Sequence, residues 1–391
     1  MDQADGYRGD STSRPGRFGE LRRRDPRLRV GPLLAILVLM IVSSCQGTDP
    51  DVDRARAAAE DVLGVVDVTD GDHDTLLYLA RIDAVLLASG LGGSAETLTE
   101  RLDTLWRARY TTSSGRPGWG LPYAWDAFGD GTTNPADTVY TYTTAMAALA
   151  FLDGYVALGD STQLDRAKAA VTTILTECWG YEAGPLMSVW YSNQPRDQIN
   201  GSYVVHNVNA LTLAAIARID RYEGEAYESE KRSGIEAMLV EHSGYEGVEG
   251  QWRYQTGSPN RNDLVHHAYI ALGLVEAGLP EAEVALEYMW SEWFDVSTGS
   301  FDADSREVMG STAWGPGDAL LPLAAAASWR PQAGLLTQQL LIDVDADGIP
   351  VVADRDDNRS VVRYGLGPAL YAASVSGADR MFPEPVCDTD C

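Results

Sequence analysis

Lysine is scarce in this chain, and basic residues as a whole are outnumbered. Two lysines, Lys168 and Lys231, stand among 30 basic residues, against 57 aspartates and glutamates, and the formal net charge is −27. Such a charge repels phosphate backbones and anionic headgroups. We therefore expect no nucleic-acid partner.

Cysteine is scarce as well. The four cysteines, Cys45, Cys178, Cys387 and Cys391, do not have the spacing of a metal site. Cys387 and Cys391 can close a small loop in an oxidising compartment, whereas Cys178 is expected to be a small core residue. The His-Glu-x-x-His spacing of zinc enzymes and the Gly-rich nucleotide loop are also absent.

The amino-terminal segment has the order of an export signal. A basic stretch at 17–29 precedes an apolar run of about 12 residues at 31–42, which is too short to span a bilayer comfortably. Val42-Ser-Ser-Cys45 resembles the lipobox of bacterial lipoproteins, which implies a lipid on Cys45. We expect a signal peptide at 1–44 and a linker at 45–52, with the protein anchored to the outer face of the cell membrane. An uncleaved anchor is the alternative, and it also exports the rest.

The remainder is rich in core-forming residues, since 45% of the chain is apolar, with 10 Trp and 18 Tyr. Apolar residues recur at helical spacing, and no stretch alternates as a strand would. The fold class is therefore predicted to be all-α. The twelve predicted helices span 53–65, 73–89, 94–109, 138–158, 161–177, 206–222, 226–241, 263–278, 281–294, 315–328, 332–342 and 362–376.

The loops between these helices alternate in length. Links at 158–161, 222–225 and 277–280 are short enough for helical hairpins. Long aromatic and glycine-rich segments join one hairpin to the next. A repeat of hairpin plus long loop predicts units that bury their faces only by stacking, and six such units can close into a ring.

Turns that lead into helices carry a repeated pattern, Gly-x-x-Gly-Trp119, Gly-Gln-Trp252 and Thr-Gly-Ser-Phe301. With this pattern, residues 53–378 resemble the (α/α)6 toroid enzymes, or six-hairpin glycosidase-like proteins, leaving a tail at 379–391. These include glycoside hydrolases, polysaccharide lyases and glucuronyl C5-epimerases, with terpenoid cyclases in related rings. The Asp-x-Asp-Asp of squalene-type cyclases is absent. We expect a monomer that requires no cofactor.

In such a ring the inner helices begin at one face, so their first residues and the long loops converge on a cleft. His73, His206, His266 and His267 stand at the beginnings of three proposed inner helices, and His242 lies elsewhere. The candidate catalytic residues are Asp126, Asp137, Tyr140, Tyr142, His206, Asp263, His266 and Asp318. The candidate substrate-binding residues are Trp119, Tyr123, Trp125, Asn207, Asn209, Trp252, Tyr269 and Trp314.

Two kinds of pattern support these candidates. Aromatic rings beside carboxylates suit sugars, which have one apolar face and polar edges. His206 with Asn209, and Asp263 with His266, have the i, i+3 spacing of side chains on one helix face, and an imidazole beside a carboxylate can move a proton. The alternative is that these side chains are caps and core packing.

A calcium loop is a further possibility. Asp343, Asp345, Asp347 and Gly348, with Asp354 in the twelfth position, match the spacing of an EF-hand-like loop except that aspartate ends it. A solvated acidic loop is the alternative.

The sequence as a whole indicates a surface-anchored carbohydrate-active enzyme that uses acid/base chemistry on a polysaccharide or oligosaccharide. A glycoside hydrolase is favoured, because basic residues near the predicted cleft are few. The alternatives are a polysaccharide lyase or uronate C5-epimerase, a non-catalytic glycan-binding lipoprotein, and a terpenoid-cyclase-like ring.

Overall fold

Helices form wherever the apolar spacing predicts them, within the part of the chain that the structure describes. The structure is a computed structural model, and it describes residues 52–57, 59, 73–121, 123–124, 133, 135–194, 204–256, 262–297, 299–301, 314–337, 366–367, 369–373 and 381. The signal segment, the linker up to 51, most of the tail and the acidic loop at 343–354 lie outside these residues.

The helices lie close to their predicted bounds. They are α1 (His73–Ser89), α2 (Ala95–Arg107), α3 (Thr141–Leu158), α4 (Ser161–Glu177), α5 (His206–Glu223), α6 (Ser229–Glu241), α7 (Leu264–Ala277), α8 (Glu281–Trp293) and α9 (Trp314–Ala325). Residues 52–57, 330–337 and 369–373 are also helical, within the predicted first, eleventh and twelfth helices or at their edges. None of the described helices is long and apolar enough to cross a membrane.

Several helix ends carry residues that favour helix capping. Ser94 caps α2, Asp160 caps α4 and Asp263 caps α7, each by accepting a hydrogen bond from a backbone N–H of the first turn. Gly159 and Gly278 end α3 and α7 in the left-handed conformation, with φ of 66° and 71°. Glycine adopts this conformation without steric strain, so the helices stop there.

The helices form an inner and an outer layer. Inner helix α5 is buried continuously from His206 to Ile219, whereas outer helix α2 buries only Leu98, Leu102 and Leu105. The inner helices α1, α3, α5, α7 and α9 pack against one another in chain order, and α2, α4, α6 and α8 each pack on the inner helix before them. Successive hairpins thus place every inner helix in the same direction, as the toroid prediction requires.

Short β-hairpins, which the sequence analysis did not predict, follow three outer helices. β1 (Tyr110–Thr111) pairs with β2 (Pro117–Gly118), β3 (Trp179–Ala183) with β4 (Leu186–Val189), and β5 (Phe294–Asp295) with β6 (Ser300–Phe301), all antiparallel. Strands of two to five residues are too short to show alternation in a sequence.

Trp119 directly follows β2, and Trp252 lies in the loop after α6; both correct the prediction of a substrate-binding role. Both are fully buried in the core. The indole N–H of Trp119 donates to the Leu105 carbonyl at 2.9 Å, and that of Trp252 donates to the Leu239 carbonyl at 2.8 Å. Each ring therefore fastens a loop to the end of an outer helix and leaves no face for a ligand.

The long loops also cap the inner helices. No side chain caps α3 or α5. The first N–H of α3, at Thr141, donates instead to the Tyr191 carbonyl at 2.9 Å, and the first N–H of α5, at His206, donates to the Tyr254 carbonyl at 3.2 Å. Each of these carbonyls belongs to the long loop that follows the same helical hairpin. Neighbouring loops are consequently joined through backbone hydrogen bonds.

Buried charges join the inner helices further along their length. Asp153 of α3 accepts hydrogen bonds from Arg81 of α1 and from Arg218 of α5, both at 2.6 Å. The three residues are at most 3% exposed. One carboxylate thus bridges three neighbouring inner helices in the core, and we call these residues the charge belt.

Candidate active site

Four polar side chains meet near the beginnings of the inner helices. The Tyr78 hydroxyl lies 3.0 Å from that of Tyr142 and 3.1 Å from that of Tyr269, and the latter two are 3.3 Å apart. Tyr269 also donates to Asp318 Oδ1 at 3.3 Å. We call these four residues the mouth cluster. Its members come from α1, α3, α7 and α9, which are separate inner helices.

The structure brings the predicted site residues Tyr142, Tyr269 and Asp318 together near the starts of their inner helices. Tyr78 is a member that the sequence analysis missed. A signal was available, because Tyr78 is the sixth residue of α1 and Tyr269 is the sixth residue of α7. Tyr78, Tyr269 and Asp318 are at most 2% exposed and Tyr142 is half-buried, so Tyr142 is the most exposed member of the cluster.

An aspartate–histidine pair lies at the beginning of α7. His266 Nδ1 is 2.7 Å from both carboxylate oxygens of Asp263, and the His266 backbone N–H also donates to Asp263. Burial raises the pKa of Asp263, but the attraction of His266 and the hydrogen bonds from it hold that pKa below its usual value. The carboxylate is thus ionised at neutral pH, so Nδ1 carries the proton and Nε2 carries the basic lone pair.

This pair is open to solvent, since the side chains of His266 and Asp263 are 29% and 33% exposed. His266 and Tyr269 are three residues apart and share a face of α7. The pair therefore stands one turn from the mouth cluster on the same helix face. Tyr254 packs edge-on against the imidazole, with ring centroids 4.8 Å apart.

His206 is placed differently from the prediction of an inward polar pair. Its Nδ1 lies 2.7 Å from the Arg253 carbonyl and its Nε2 lies 3.3 Å from the Thr256 hydroxyl, and its ring stacks on His242 at 5.0 Å. Burial lowers the pKa of His206 to about 4. The ring lines a separate cleft of about 310 Å³. The prediction is corrected because a loop, and not the ring's centre, supplies the partners of His206.

Asn209 is a structural residue and also corrects the prediction. Its Oδ1 accepts from the Val189 N–H at 2.8 Å, and its Nδ2 donates to the carbonyls of Val189 and Val205 at 3.1 and 2.8 Å. The amide thus pins β4 to α5, and no polar atom is left for a substrate. Asn207, the second residue of α5, is buried on a different face.

Tyr140 and Asp137 lie apart from the mouth cluster. Tyr140 is buried, its hydroxyl donates to the Pro135 carbonyl at 3.3 Å, and burial raises the pKa of its phenol. Asp137 is exposed, has a positive φ of 54°, and lines a cleft of about 180 Å³ beside Arg109 and Tyr110. Tyr123 is half-buried and close enough to Tyr140 to contribute to that pKa shift.

His267 is a core residue, in contrast to its partly exposed neighbour His266. It is fully buried, its Nε2 lies 2.9 Å from the Ala285 carbonyl, and burial lowers its pKa to about 4. Rings of Trp252, Tyr288 and Trp293 surround it.

Other predicted site residues fall outside the described residues. These are Trp125, Asp126, the loop residues Asp343, Asp345, Asp347 and Asp354, and Cys45. Trp314 begins α9, but its side chain is likewise outside the description. Among the described residues no group of three or more histidine, cysteine, aspartate or glutamate side chains is placed to hold a metal ion.

Comparisons with known proteins place this geometry in a fold. No protein-family model matches the chain, and no curated protein matches it. A family 76 glycoside hydrolase, an α-mannanase of Bacteroides thetaiotaomicron, is similar over 83% of this chain and 98% of its own, with 13% identity and a TM-score of 0.58. Cellobiose 2-epimerase from Bacillus thermoamylovorans is similar over 81% and 98%, with 14% identity and a TM-score of 0.52.

A D-mannose isomerase is similar over 83% of this chain and 97% of its own, with 14% identity and a TM-score of 0.51. At these identities the similarity establishes the fold. The chain has the all-α, (α/α)6 toroid fold that its sequence predicts.

Proposed function

We propose that this protein is a carbohydrate-active enzyme that hydrolyses glycosidic bonds of an oligosaccharide or polysaccharide at the open end of the toroid. The observation that carries the proposal is the mouth cluster, in which three tyrosine hydroxyls and the Asp318 carboxylate converge from four inner helices. Hydroxyls and a carboxylate match the hydrogen-bonding edge of a sugar. The α-mannanase with this fold acts on a glycan, which supports the same class of substrate.

Asp318 and Asp263 are the carboxylates that we assign to the reaction. They stand on the neighbouring inner helices α9 and α7, and glycoside hydrolysis uses one carboxyl group as acid and another as base or nucleophile. Asp318 is buried beside tyrosine hydroxyls, whereas Asp263 is half-exposed and ionised. Two carboxyl groups in unlike surroundings suit the two unlike roles.

The test is incubation of the purified full-length protein with α-linked manno-oligosaccharides and other neutral glycans, with detection of new reducing ends. Wild type is expected to release reducing ends. Asp318→Asn is expected to lower kcat by about 100-fold or more, because general acid–base groups contribute at that level. Asp165→Asn, an exposed change on outer helix α4, is the matched control and should leave the rate unchanged. Equal rates for Asp318→Asn and wild type would exclude the assigned role.

A sugar epimerase or isomerase is the second candidate, and the Asp263–His266 pair favours it. Such enzymes move a proton at a carbon beside a carbonyl, which requires a positioned base, and an imidazole oriented by an aspartate is suited to this role. Incubation of cellobiose and D-mannose in D₂O separates the two functions. An epimerase incorporates deuterium into the sugar without new reducing ends, and His266→Gln should abolish that incorporation.

We also propose that the enzyme is held on the outer face of the cell membrane by a lipid on Cys45. The order of basic stretch, apolar run and Val42-Ser-Ser-Cys45 supports this. A glycan-binding lipoprotein without catalysis shares this location, and it would bind glycans in the test above without changing them.

A further inference from the structure

One buried polar atom at the start of inner helix α5 has no hydrogen-bond partner among the described residues. Asn207, the second residue of α5, is 3% exposed, and its Oδ1 lacks a partner among the described residues. Buried amide oxygens are rarely left unpaired, because removal from water without a new hydrogen bond is unfavourable. This side chain therefore calls for an explanation other than packing.

The register of the inner helices shows which way Asn207 faces. Asn207 precedes Arg218 by eleven residues, about three helical turns, so the two share a face of α5. Tyr142 precedes Asp153 by the same eleven residues on α3. Since Arg218 and Asp153 are bonded at 2.6 Å, the two helices are in register there. Asn207 thus has the position in α5 that Tyr142 has in α3, where Tyr142 belongs to the mouth cluster.

The orientations of His206 and Asn209, which lie before and after Asn207 in α5, support this orientation. His206 is turned to the Arg253 and Thr256 loop, and Asn209 is turned to β4. Successive residues of a helix are about 100° apart, so Asn207 projects from a different side of α5 than these two. The side away from both loops is the inner one.

We propose that Asn207 is a substrate-binding residue that hydrogen-bonds a hydroxyl group of a neutral sugar seated at the mouth cluster, and this rests on the proposed carbohydrate function. A hydroxyl both donates and accepts, so it can satisfy either end of an amide. An ionised carboxylate has no proton to donate, so it would leave the amide oxygen of Asn207 unpaired. The residue thus favours neutral sugars over uronates.

The test compares Asn207→Leu, which keeps the side-chain volume and removes the unpaired atom, with Asn209→Ala as the matched control from the same helix. Two quantities are measured, the melting temperature and the affinity for α-linked mannotetraose by calorimetry, with a galacturonate oligomer as the acidic comparison. For Asn207→Leu we expect an unchanged or higher Tm and an affinity at least 10-fold weaker. For Asn209→Ala we expect a lower Tm and an unchanged affinity of the folded protein.

The outcomes separate this inference from the proposed function. If wild type binds mannotetraose and Asn207→Leu binds it equally well, Asn207 is not a substrate-binding residue, although the proposed function survives. A lower Tm for Asn207→Leu with unchanged affinity would make Asn207 a structural residue. If wild type binds no neutral glycan, both ideas fail.

Discussion

The histidines show how much the surroundings of one residue determine its chemistry. His266 is half-exposed and paired with an ionised carboxylate, whereas His206 and His267 are fully buried. Burial lowers the pKa of both His206 and His267 to about 4 from an ordinary value of 6.5. For His206 the hydrogen bond to the Arg253 carbonyl opposes this shift, and the charges of His242 and Arg253 add to it. The folded protein therefore holds both rings neutral.

Because both rings are neutral in the folded state, the fold becomes less stable in acid. A histidine whose pKa is lower in the folded state stabilises the fold fully above pH 6.5, and that contribution is lost as the pH falls towards 4. For His206 the loss amounts to roughly 3 kcal/mol. The free energy of unfolding, measured by urea titration between pH 7 and pH 4, should fall less steeply for His206→Gln than for wild type. His242→Gln, at a half-buried ring, is the control and should have a smaller effect. Equal slopes for wild type and His206→Gln would contradict this account.

His206 also shows that a single sequence can predict the position of a residue in a helix but not the direction of its side chain. Its place at the start of an inner helix follows from local apolar spacing, and that prediction is confirmed. The direction in which its side chain points is set by Arg253 and Thr256, which are about 50 residues away in the sequence. No sequence pattern links these residues to His206. Tyr142, Tyr269 and Asp318 were predictable because a helix start alone brings them to the mouth. Asn209 was misassigned because its partner is the backbone of a hairpin that the sequence did not reveal.

At the scale of elements, the loops after the outer helices have a structural role that their amino-acid composition does not reveal. Trp119 and Trp252 occupy corresponding places, each with its indole N–H on a carbonyl near the end of the preceding outer helix. An aromatic ring in a glycine-rich loop can either stack on a sugar ring or fill space in the hydrophobic core. Burial decides between them, and burial depends on the packing of distant helices.

A substitution at Trp252 tests this assignment. Trp252→Ala should lower the free energy of unfolding by about 3–5 kcal/mol, because it leaves a large cavity in the core. Trp252→Phe keeps a ring but removes the N–H, so a loss of about 1–2 kcal/mol is expected. Chemical denaturation of both variants measures these losses. A substrate platform would show the opposite pattern, in which Trp252→Ala weakens glycan binding and leaves stability unchanged.

The helices themselves were predictable to within a few residues, because amphipathic spacing, Asp and Ser caps and terminal glycines are all local signals. The hairpins were not predictable, since strands such as Tyr110–Thr111 carry no period. The hairpin of β3 and β4 is held to the inner helix after it by the amide of Asn209, which bonds the backbone of Val189.

At the scale of the whole molecule, the charge belt links consecutive repeats through the core. Asp153 is bonded to both Arg81 and Arg218, and all three residues are almost fully buried. Removal of one member of a buried ion network leaves the others unpaired in a medium of low dielectric, which costs much more than the loss of a surface pair.

We therefore expect Asp153→Asn to lower the free energy of unfolding by about 3–5 kcal/mol. Asp103→Asn is the matched control, because Asp103 bonds Arg166 at 2.7 Å but is 42% exposed, and its loss should cost less than about 1 kcal/mol. Urea denaturation of both variants provides the comparison. Similar losses would show that the belt behaves like a surface pair and does not stabilise the toroid.

The proposed anchor is tested in cells. Cys45→Ser removes the acylation site, so the protein should no longer incorporate radiolabelled palmitate and should leave the membrane fraction. Cys178→Ser, at a buried cysteine, is the control and should keep the label. Labelling of Cys45→Ser would place the lipid elsewhere.

The backbone hydrogen bonds that join the loops affect the entropy that is lost when a sugar binds. The first amides of α3 and α5 are already held by carbonyls of the following loops, at Tyr191 and Tyr254. The described parts of these loops are thus ordered by one another before any ligand arrives. Less conformational entropy is then lost when a sugar binds beside these loops. A sugar has little apolar surface, so its affinity depends on a few hydrogen bonds, and the smaller entropy loss makes that binding tighter.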